Sequence, residues 1–340
     1  MSTVLPTRRH VAPNGRERAL REPMPTPAKV NLFGVQVTKG DGDEVFEAIM
    51  SWARSRRPAS VDFFGVHGLT EASRDAAFMR TLNDFDIVTC DGQPVRWALN
   101  HWYKAGIAER VYGPTMMLRL CEAAAAEGLS VYLYGSRPEV LDTLTDRLIE
   151  RFPGLRVAGS ESPPFRALTN VERQATADRI NDSGAALAFI GLGCPKQEKF
   201  TIEMGARIEA VQLCVGAAFD FHAGTVPMAP PWMQDAGLEW FYRLCQEPHR
   251  LWRRYLFNNA RFLRLCLQRS IQGNWLDGGP SNEFSKIRAG AKTAELPAIR
   301  CDLPHACATV PPAVAPVSVI TPLYNEHECV DMLIASLDRI

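Results

Sequence analysis

The segment GLGCPKQE, residues 191–198, combines small and polar residues where a nucleotide can bind. It follows the most apolar strand that the sequence predicts and leads into a predicted helix. Its backbone N–H groups can therefore donate to diphosphate oxygens. The polar side chains at its end can bind sugar or ribose hydroxyls. A tight strand-to-helix turn without a ligand is the alternative, because a G-x-G pattern is unspecific. The candidate binding residues are Gly191, Gly193, Pro195, Lys196, Gln197 and Glu198.

Asp91 and Gly92 come directly after another predicted strand, Ile87–Cys90. A carboxylate at a strand end, in a cleft and partly desolvated, can remove a proton from an attacking hydroxyl. Asp is also a common N-cap, so capping of the helix near Pro94 is the alternative role. Asp84 and Asp86 form a D-x-D pattern, which can hold a divalent metal. They stand where the strand begins, so we expect no metal site there.

Arg110 precedes a Gly-Pro turn and a new predicted helix. Its guanidinium suits bidentate contact with a phosphate, and a surface ion pair is the alternative. A Gly/Ala-rich turn at residues 215–224 leaves a further strand and contains Gly216, Asp220 and His222. The polar side chains of this turn can contact substrate or bind loop amides.

The stretch from Trp240 to Arg269 has seven arginines and one acid, Glu247, interleaved with aromatic and aliphatic residues. Such a helix suits an anionic membrane or a lipid-borne pyrophosphate, for which Arg250, Arg253 and Arg254 are the candidates. Packing on its own domain with a solvated basic face is an alternative. An apolar face also suits the interface of a homo-oligomer.

The elements around these residues alternate between short apolar strands and longer helices. This alternation predicts an α/β fold: a Rossmann-like parallel sheet with helices on both faces, plus a basic amphipathic C-terminal helical appendage at about 237–270. The predicted strands are Val30–Val35, Val61–Val66, Ile87–Cys90, Ser130–Tyr134, Arg156–Ala158, Ala185–Gly191 and Val211–Val215. The predicted helices are Asp43–Arg54, Thr70–Asn83, Pro94–Trp102, Thr115–Glu127, Pro138–Arg151, Asn170–Ser183, Gln197–Gly205 and Glu239–Arg269.

Composition bounds the class of protein. Lys and Arg (38) balance Asp and Glu (38), which argues against a general nucleic-acid binder. No apolar run is long enough for a transmembrane helix, and the arginine-rich N-terminus lacks the apolar region of a secretory signal. The nine cysteines show no metal-ligand spacing and indicate buried thiols in a reducing cytoplasm. Residues 1–28 are expected to be a disordered tail, and residues 271–316 a linker.

Residues 29–270 resemble the WecG/TagA/CpsF family, glycosyltransferase family 26. The resemblance rests on seven motifs in chain order. The motifs are D-G at 91–92, E-R-V-x-G at 109–113, Tyr134-Gly135, G-x-G-x-P-K-Q-E at 191–198, V-G-x-x-F-D-x-x-A-G at 215–224, A-P at 229–230 and G-L-E-W-x-Y-R-L-x-x-E-P-x-R at 237–250. Residues 317–340 resemble the first strand and helix of family 2 glycosyltransferases, with their P-x-Y-N-E turn at 322–326, cut short or left as a remnant.

The first resemblance implies inverting, metal-independent transfer of a hexose from a UDP-sugar to a polyprenyl-diphosphate-linked sugar. The reaction would occur at the inner face of the bacterial plasma membrane, without a cofactor. The sugar could be an N-acetylhexosamine or its uronic acid. The family's catalytic base aligns on Asp91, and a functional arginine aligns on Arg110. The motif residues Gly92, Tyr134 and Gly135 are further candidates for substrate binding. Arg110, the amides around Gly193 and the appendage arginines would then stabilise the leaving UDP.

The sequence differs from the family pattern at three places. Phe63 to His67 stand where many members have a Thr/Asn pair, and the usual Asn falls on about Gly65. Pro114 and Thr115 replace part of a G-x-D motif, and residues 163–166 replace G-Y-F. Two other functions compete, and the first of them is suggested by these departures. One is a non-catalytic, nucleotide-sugar-binding membrane module fused to a second transferase. The other is a nucleotide-cofactor oxidoreductase, although the first strand lacks the G-x-G-x-x-G that would follow it.

Overall fold

A computed structural model describes residues 26–272 of the protein. It consists of one six-stranded parallel sheet, a separate two-stranded hairpin, and helices on both faces of the sheet. The predicted α/β class and parallel sheet are confirmed. The predicted linker and the family 2-like segment 317–340 lie outside the described residues, apart from the first two residues of the linker, and so does the tail up to residue 25.

The strand order in the large sheet is β4-β3-β8-β7-β5-β6, and all of its pairs are parallel. The strands are β1 Lys29–Leu32, β2 Val35–Thr38, β3 Ala59–Phe64, β4 Ile87–Cys90, β5 Ser130–Gly135, β6 Arg156–Glu161, β7 Leu187–Gly191 and β8 Val211–Cys214. Every residue of β3, β4, β5 and β8 is buried, because helices cover both faces of the sheet. Strands that are buried on both faces need mostly apolar residues, which is why these sequences do not alternate between apolar and polar residues.

Twelve α-helices belong to the part of the chain that the structure describes. They are α1 Gly42–Ser55, α2 Val66–Ala72, α3 Ala76–Asn83, α4 Gln93–Tyr103, α5 Gly113–Glu127, α6 Pro138–Arg151, α7 Asn170–Asp182, α8 Lys196–Met204, α9 Ala218–Ala223, α10 Pro231–Asp235, α11 Glu239–Gln246 and α12 Pro248–Gln272. A short 3-10 helix follows α8 at Gly205–Arg207.

The prediction of one strand over Val30–Val35 was wrong. The chain turns at Phe33 and Gly34, both with positive φ (53° and 96°), and β1 pairs with β2 as an antiparallel hairpin. The Asn31 side chain accepts a hydrogen bond from the Gly34 amide at 2.8 Å, which stabilises this turn. This hairpin is therefore separate from the large sheet.

Two predicted helices are each divided into two. The first is divided at Asp75, whose side chain caps α3 by accepting from the Ala77 and Phe78 amides. The long C-terminal helix is divided between Gln246 and Pro248, where α11 ends and α12 begins with a proline. The short helices α9 and α10 were not predicted. They lie in loops that follow the last strand.

The appendage, α11 and α12, packs against the rest of the described chain, and the second half of α12 makes three of these contacts. Near the middle of this helix, Arg261 donates to the hydroxyl and carbonyl oxygens of Ser73 at 2.6 and 3.0 Å. Phe262 is buried against Phe33 of the hairpin turn, with ring centroids 6.2 Å apart. Near its end, the Arg269 guanidinium packs over the rings of Trp102 and Tyr103. Two arginines of the basic stretch therefore bind the protein's own surface.

Candidate active site

A cavity of about 260 Å³ lies at the carboxyl ends of four neighbouring strands, β4, β3, β8 and β7. Its walls come from the loops that follow these strands and from the appendage. Because carboxyl ends of parallel strands share one edge of a sheet, residues far apart in sequence meet there. Six of the predicted site residues line this cavity: Asp91, Gly193, Gln197, Glu198, Gly216 and Arg254.

Asp91 follows β4, and its amide donates to the carbonyl of Phe64 at 3.0 Å, which extends the sheet by one residue. The N-cap of α4 is Gly92, and that end of the helix has no side-chain cap. Capping by Asp91, the alternative left open by the sequence, is therefore not its role. Burial raises the pKa of the Asp91 carboxyl to about 7, against the opposing effect of the Arg110 charge. Such a group can exchange a proton near neutral pH.

Arg110 lies beside Asp91 and is almost fully enclosed, with 11% of its side chain exposed. Its guanidinium donates to Gln234 Oε1 at 3.0 Å and pairs with Glu239 Oε2 at 2.8 Å. It also stacks over the ring of Tyr112, whose hydroxyl donates to Glu239 Oε1 at 2.9 Å. A further contact is the backbone carbonyl of Asp91, at 3.4 Å. Arg110 thus joins the loop that carries Asp91 to the first turn of α11.

The loop between β7 and α8 is held by its own side chains. The Gly193 amide donates to Gln197 Oε1 at 3.1 Å, and Gln197 Nε2 donates to Glu198 Oε1 at 3.3 Å. Both side chains are buried, although the loop is at the rim of the sheet. Gly216 has a positive φ, and a Cβ there would lie 3.3 Å from Gln197 Oε1. The loops after β7 and β8 therefore fit closely around Gln197.

Three predicted binding residues lie in the core and do not line the cavity. Tyr134 is fully buried and stacks on Phe200 at 4.5 Å between ring centroids. A Cβ at Gly135 would lie 2.6 Å from the backbone of Gly191, and a Cβ at Gly191 would lie 2.5 Å from the ring of Phe219. Close packing accounts for the small residues at both positions.

Four more predicted residues are near the cavity without lining it. Gly92 lies beside the loop after β3, where an added Cβ would be 3.6 Å from the Cα of Gly65. Pro195 is the N-cap of α8, and Lys196 after it is exposed. The Asp220 carboxylate accepts from the Thr225 hydroxyl at 3.2 Å, which matches the loop-satisfying alternative for this residue.

The appendage contributes a basic wall to the cavity, formed by Arg243 and Arg254. Arg243, which the sequence analysis did not single out, lies over the ring of Phe221 at 5.4 Å. Of the other two predicted arginines, Arg250 is exposed and pairs with Glu247 at 2.5 Å. Arg253 is exposed and packs over Trp252. The structure therefore brings one of the three predicted appendage arginines to the cavity.

Asp62 is a cavity residue that sequence reasoning missed. It lies within β3, with Val88 and Cys214 as its neighbours in the flanking strands, and 1% of it is exposed. Neither carboxyl oxygen has a hydrogen-bond partner among the described residues. Burial, followed by the charges of Glu198 and Asp91, raises its pKa well above the ordinary value. The available signal was an acid between apolar residues in a strand covered on both faces.

His67 stands in the first turn of α2, within the segment that departs from the family pattern. Its Nδ1 accepts from the Asn258 amide at 2.9 Å, so it connects α2 to α12 at the cavity. Burial and the nearby Arg254 charge lower its pKa to about 4. The imidazole is therefore neutral at physiological pH, and it can offer a hydrogen bond but no charge.

The D-x-D pair lies at the other end of β4, away from the cavity. Asp86 accepts from the Ser60 amide at 2.9 Å and pairs with Arg57 at 3.5 Å. Within residues 26–272, no group of three His, Cys, Asp or Glu side chains is arranged to hold a metal ion. Among the helices of the same residues, none is both long and apolar enough to cross a membrane.

The chain is similar to a known protein family. A family model described as "Glycosyl transferase WecG/TagA/CpsF family" matches residues 30–275, most of the chain. The matched range contains every residue that lines the cavity.

Proposed function

The chain belongs to the WecG/TagA/CpsF family of glycosyltransferases, which act in the synthesis of cell-envelope polysaccharides, and on that premise we propose a specific reaction for it. The protein transfers a hexose from a UDP-sugar to a polyprenyl-diphosphate-linked sugar, with inversion at the anomeric carbon. The product would enter a bacterial surface polysaccharide or exopolysaccharide.

One observation supports this proposal most directly. The Asp91 carboxyl, the Gly193–Gln197 loop and the basic wall of Arg243 and Arg254 surround the same cavity. A proton acceptor and donors for a diphosphate are thus available within one cavity. Transfer from a nucleotide sugar requires both.

In the proposed reaction, Asp91 takes the proton of the acceptor hydroxyl as that oxygen attacks the anomeric carbon. The bond from this carbon to the UDP oxygen breaks on the opposite face. Negative charge then grows on the leaving diphosphate, and the cationic side chains of the basic wall stabilise it in place of a metal. General-base assistance of this kind contributes roughly 10²–10⁴-fold to the rate.

Arg110 acts in this proposal as a positioning residue. Its contacts to the Asp91 carbonyl, Gln234 and Glu239 hold the base against the appendage. Its positive charge also counteracts the effect of burial on the pKa of Asp91. A direct contact with the diphosphate would require Arg110 to exchange one of these partners.

The acceptor lipid requires that the protein reach the membrane surface from the cytoplasmic side. Six exposed apolar residues on α12 support a peripheral attachment there: Trp252, Leu256, Phe257, Leu263, Leu267 and Ile271. All but Phe257 fall on one stripe by helical spacing, and Arg253 and Arg264 lie next to it. Apolar side chains beside arginines are the pattern of a helix that lies on an anionic bilayer.

The test is a transfer assay with a panel of UDP-sugars and a lipid-diphosphate acceptor, comparing the wild type with Asp91→Asn. We expect turnover of the variant to fall at least about 100-fold while UDP affinity is kept, since Asn is isosteric but cannot take the proton. Asp84→Asn, which removes an exposed carboxylate at the other end of the sheet, is the matched control. Activity should also survive EDTA.

Three outcomes would contradict the proposal. Equal turnover of Asp91→Asn and the wild type would remove Asp91 from the role of base. Loss of activity in EDTA, restored by Mn²⁺, would favour a metal-dependent mechanism. UDP binding by the wild type without transfer from any donor would favour a non-catalytic binding module.

A further inference from the structure

Two carboxyl groups form what we term the acidic floor of the cavity: Asp62, from within β3, and Glu198, from the first turn of α8. Asp62 is 1% exposed and Glu198 is 2% exposed. Among the described residues, neither Asp62 oxygen has a hydrogen-bond partner, and neither does Glu198 Oε2. Native proteins rarely leave buried carboxyl oxygens without partners, so each such group indicates a ligand or another function.

The acidic floor carries a proton near neutral pH. Burial raises the pKa of Glu198 to about 7, and burial with the charges of Glu198 and Asp91 raises that of Asp62 well above its ordinary value. The neighbouring Cys194 and Cys214 thiols also have raised pKa values, again because of burial. A protonated carboxyl can donate one hydrogen bond and accept others. This combination suits a hydroxyl or an amide.

The cavity therefore has two regions of different charge. The basic wall, Arg243 and Arg254, suits the diphosphate of a nucleotide sugar. The acidic floor does not, because a further anion there would meet buried carboxyl groups. The sugar is joined directly to the diphosphate, so it is the part of the donor that can extend from the wall to the floor.

We propose that the acidic floor is the subsite for the donor sugar and that it selects an uncharged sugar, held through hydroxyl or acetamido groups, over a hexuronic acid. This inference rests on the proposed function. It narrows the donor to UDP-hexoses and UDP-N-acetylhexosamines. A uronate would place its carboxylate against the floor, where like charges repel in a site with little solvent.

The experiment measures equilibrium binding of UDP, UDP-glucose and UDP-glucuronic acid to the full chain by calorimetry at pH 7.5. We expect UDP-glucose to bind at least about tenfold more tightly than UDP-glucuronic acid. A charge interaction strong enough to shift a pKa by one unit has this tenfold effect on a binding constant. The isosteric double variant Asp62→Asn/Glu198→Gln should bring the two affinities within about threefold. Both positions must change, because either carboxyl alone still contributes an acid to the floor.

The matched control is Asp84→Asn/Glu209→Gln, which makes the same chemical changes at two exposed positions. It should keep the wild-type preference. UDP itself has no sugar, so its affinity reports on the nucleotide site alone and shows in each protein whether that site is intact.

The wild type provides a second measurement that does not depend on how the variant folds. The preference for UDP-glucose should increase between pH 5.5 and 8, because the floor loses its proton while the uronate stays ionised. Asp91 titrates in the same range and acts in the same direction. Arg243 and Arg254 also face the cavity, and His67 stays neutral above its pKa of about 4.

The outcomes separate this inference from the proposed function. If UDP fails to bind the wild type, the proposed function fails, and this inference fails with it. If UDP binds but UDP-glucuronic acid binds as tightly as UDP-glucose, or their ratio does not change with pH, only the inference is overturned. A double variant that binds UDP and keeps the full preference would overturn it as well.

Discussion

Opposing effects act on the carboxyl of Asp91. Burial disfavours its ionised form and the neighbouring Glu239 adds a like charge, while Arg110 favours ionisation. Burial is the largest effect, so the pKa rises from 3.8 to about 7. The unfolded chain ionises this group near pH 4, and the folded chain does so only near neutrality. A general base with this pKa, the role proposed for Asp91, is well matched to a reaction near neutral pH.

A pH dependence of activity follows from this value. We expect kcat/KM to decrease about tenfold per pH unit as the pH falls below about 7, because protonated Asp91 cannot accept the acceptor's proton. Above that pH the rate should level off. The measurement is a profile of kcat/KM from pH 5 to 9 with the best donor. A profile that is flat down to pH 5 would show that no group with this pKa limits the reaction.

Gly191 shows how a motif residue can act through packing. Its predicted role was ligand binding, but a Cβ there would lie 2.5–2.9 Å from the fully buried ring of Phe219. We expect Gly191→Ala to destabilise the fold by about 1–3 kcal/mol, the usual cost of overpacking a core. Chemical denaturation measures this loss, and UDP affinity should be kept in the folded fraction.

Gly42→Ala is the matched control for that substitution. Gly42 is the first residue of α1, and a Cβ added there would lie 3.6 Å from the Arg119 guanidinium, an ordinary contact with a flexible side chain. Alanine should therefore be neutral or slightly stabilising at this position. If Gly191→Ala instead kept full stability and lost UDP affinity, Gly191 would be a binding residue and the packing explanation would be wrong.

At the scale of elements, the strands of the large sheet could be predicted because they are buried on both faces and followed by helices. The hairpin was missed because Phe33, at positive φ, gives no turn signal, and Gly34 beside it was taken as part of a continuous strand. The division of the long C-terminal helix had a visible cause, Pro248, although the apolar periodicity continues on both sides of it.

The same reasoning explains which cavity residues could be found from sequence. Asp91 and the Gly193–Glu198 loop follow strands, so the geometry of a parallel sheet brings them to one edge. Asp62 lies inside its strand, and the rule that site residues follow the carboxyl ends of strands does not apply there. Arg243 shares its surroundings with six other arginines, and only the packing of α11 distinguishes it.

The contact of α11 with the sheet depends on Glu239, which binds both Arg110 and Tyr112. We expect Glu239→Gln to destabilise the protein by about 2 kcal/mol, because the enclosed Arg110 loses its ion pair with Glu239. Amide hydrogen exchange in residues 239–246 should increase. Glu203→Gln, which removes a surface pair with Arg173, should cost at most about 1 kcal/mol. Unchanged exchange in α11 would show that Glu239 does not hold it.

At the scale of the whole molecule, a net charge of zero conceals an uneven distribution. The appendage holds seven arginines, but Arg261 and Arg269 bind the core and Arg243 and Arg254 face the cavity. Arg250, Arg253 and Arg264 are exposed, and so is Arg254 although it lines the cavity. Membrane attachment would therefore depend on the exposed apolar side chains of α12 together with a few arginines.

Vesicle binding tests whether the exposed apolar side chains of α12 attach the protein to a membrane. We expect the wild type to sediment with vesicles that contain phosphatidylglycerol and Leu256→Glu/Leu263→Glu to lose at least about tenfold in affinity, because both side chains are exposed and apolar. UDP affinity should not change. Val171→Glu, which adds a charge at an exposed apolar position of α7, is the control and should bind vesicles nearly as the wild type does. Equal binding by all three proteins would place the membrane contact elsewhere.

The cavity walls come from residues as far apart as Asp62 in β3 and Arg254 in α12. No segment of the chain contains the pocket by itself, so it exists only once strands, loops and appendage have assembled. A nucleotide that fills this pocket therefore has no equivalent binding site in a partly folded chain. Binding of the donor would therefore stabilise the whole folded protein. The free energy of unfolding would rise by about 2.7 kcal/mol at a donor concentration 100 times Kd.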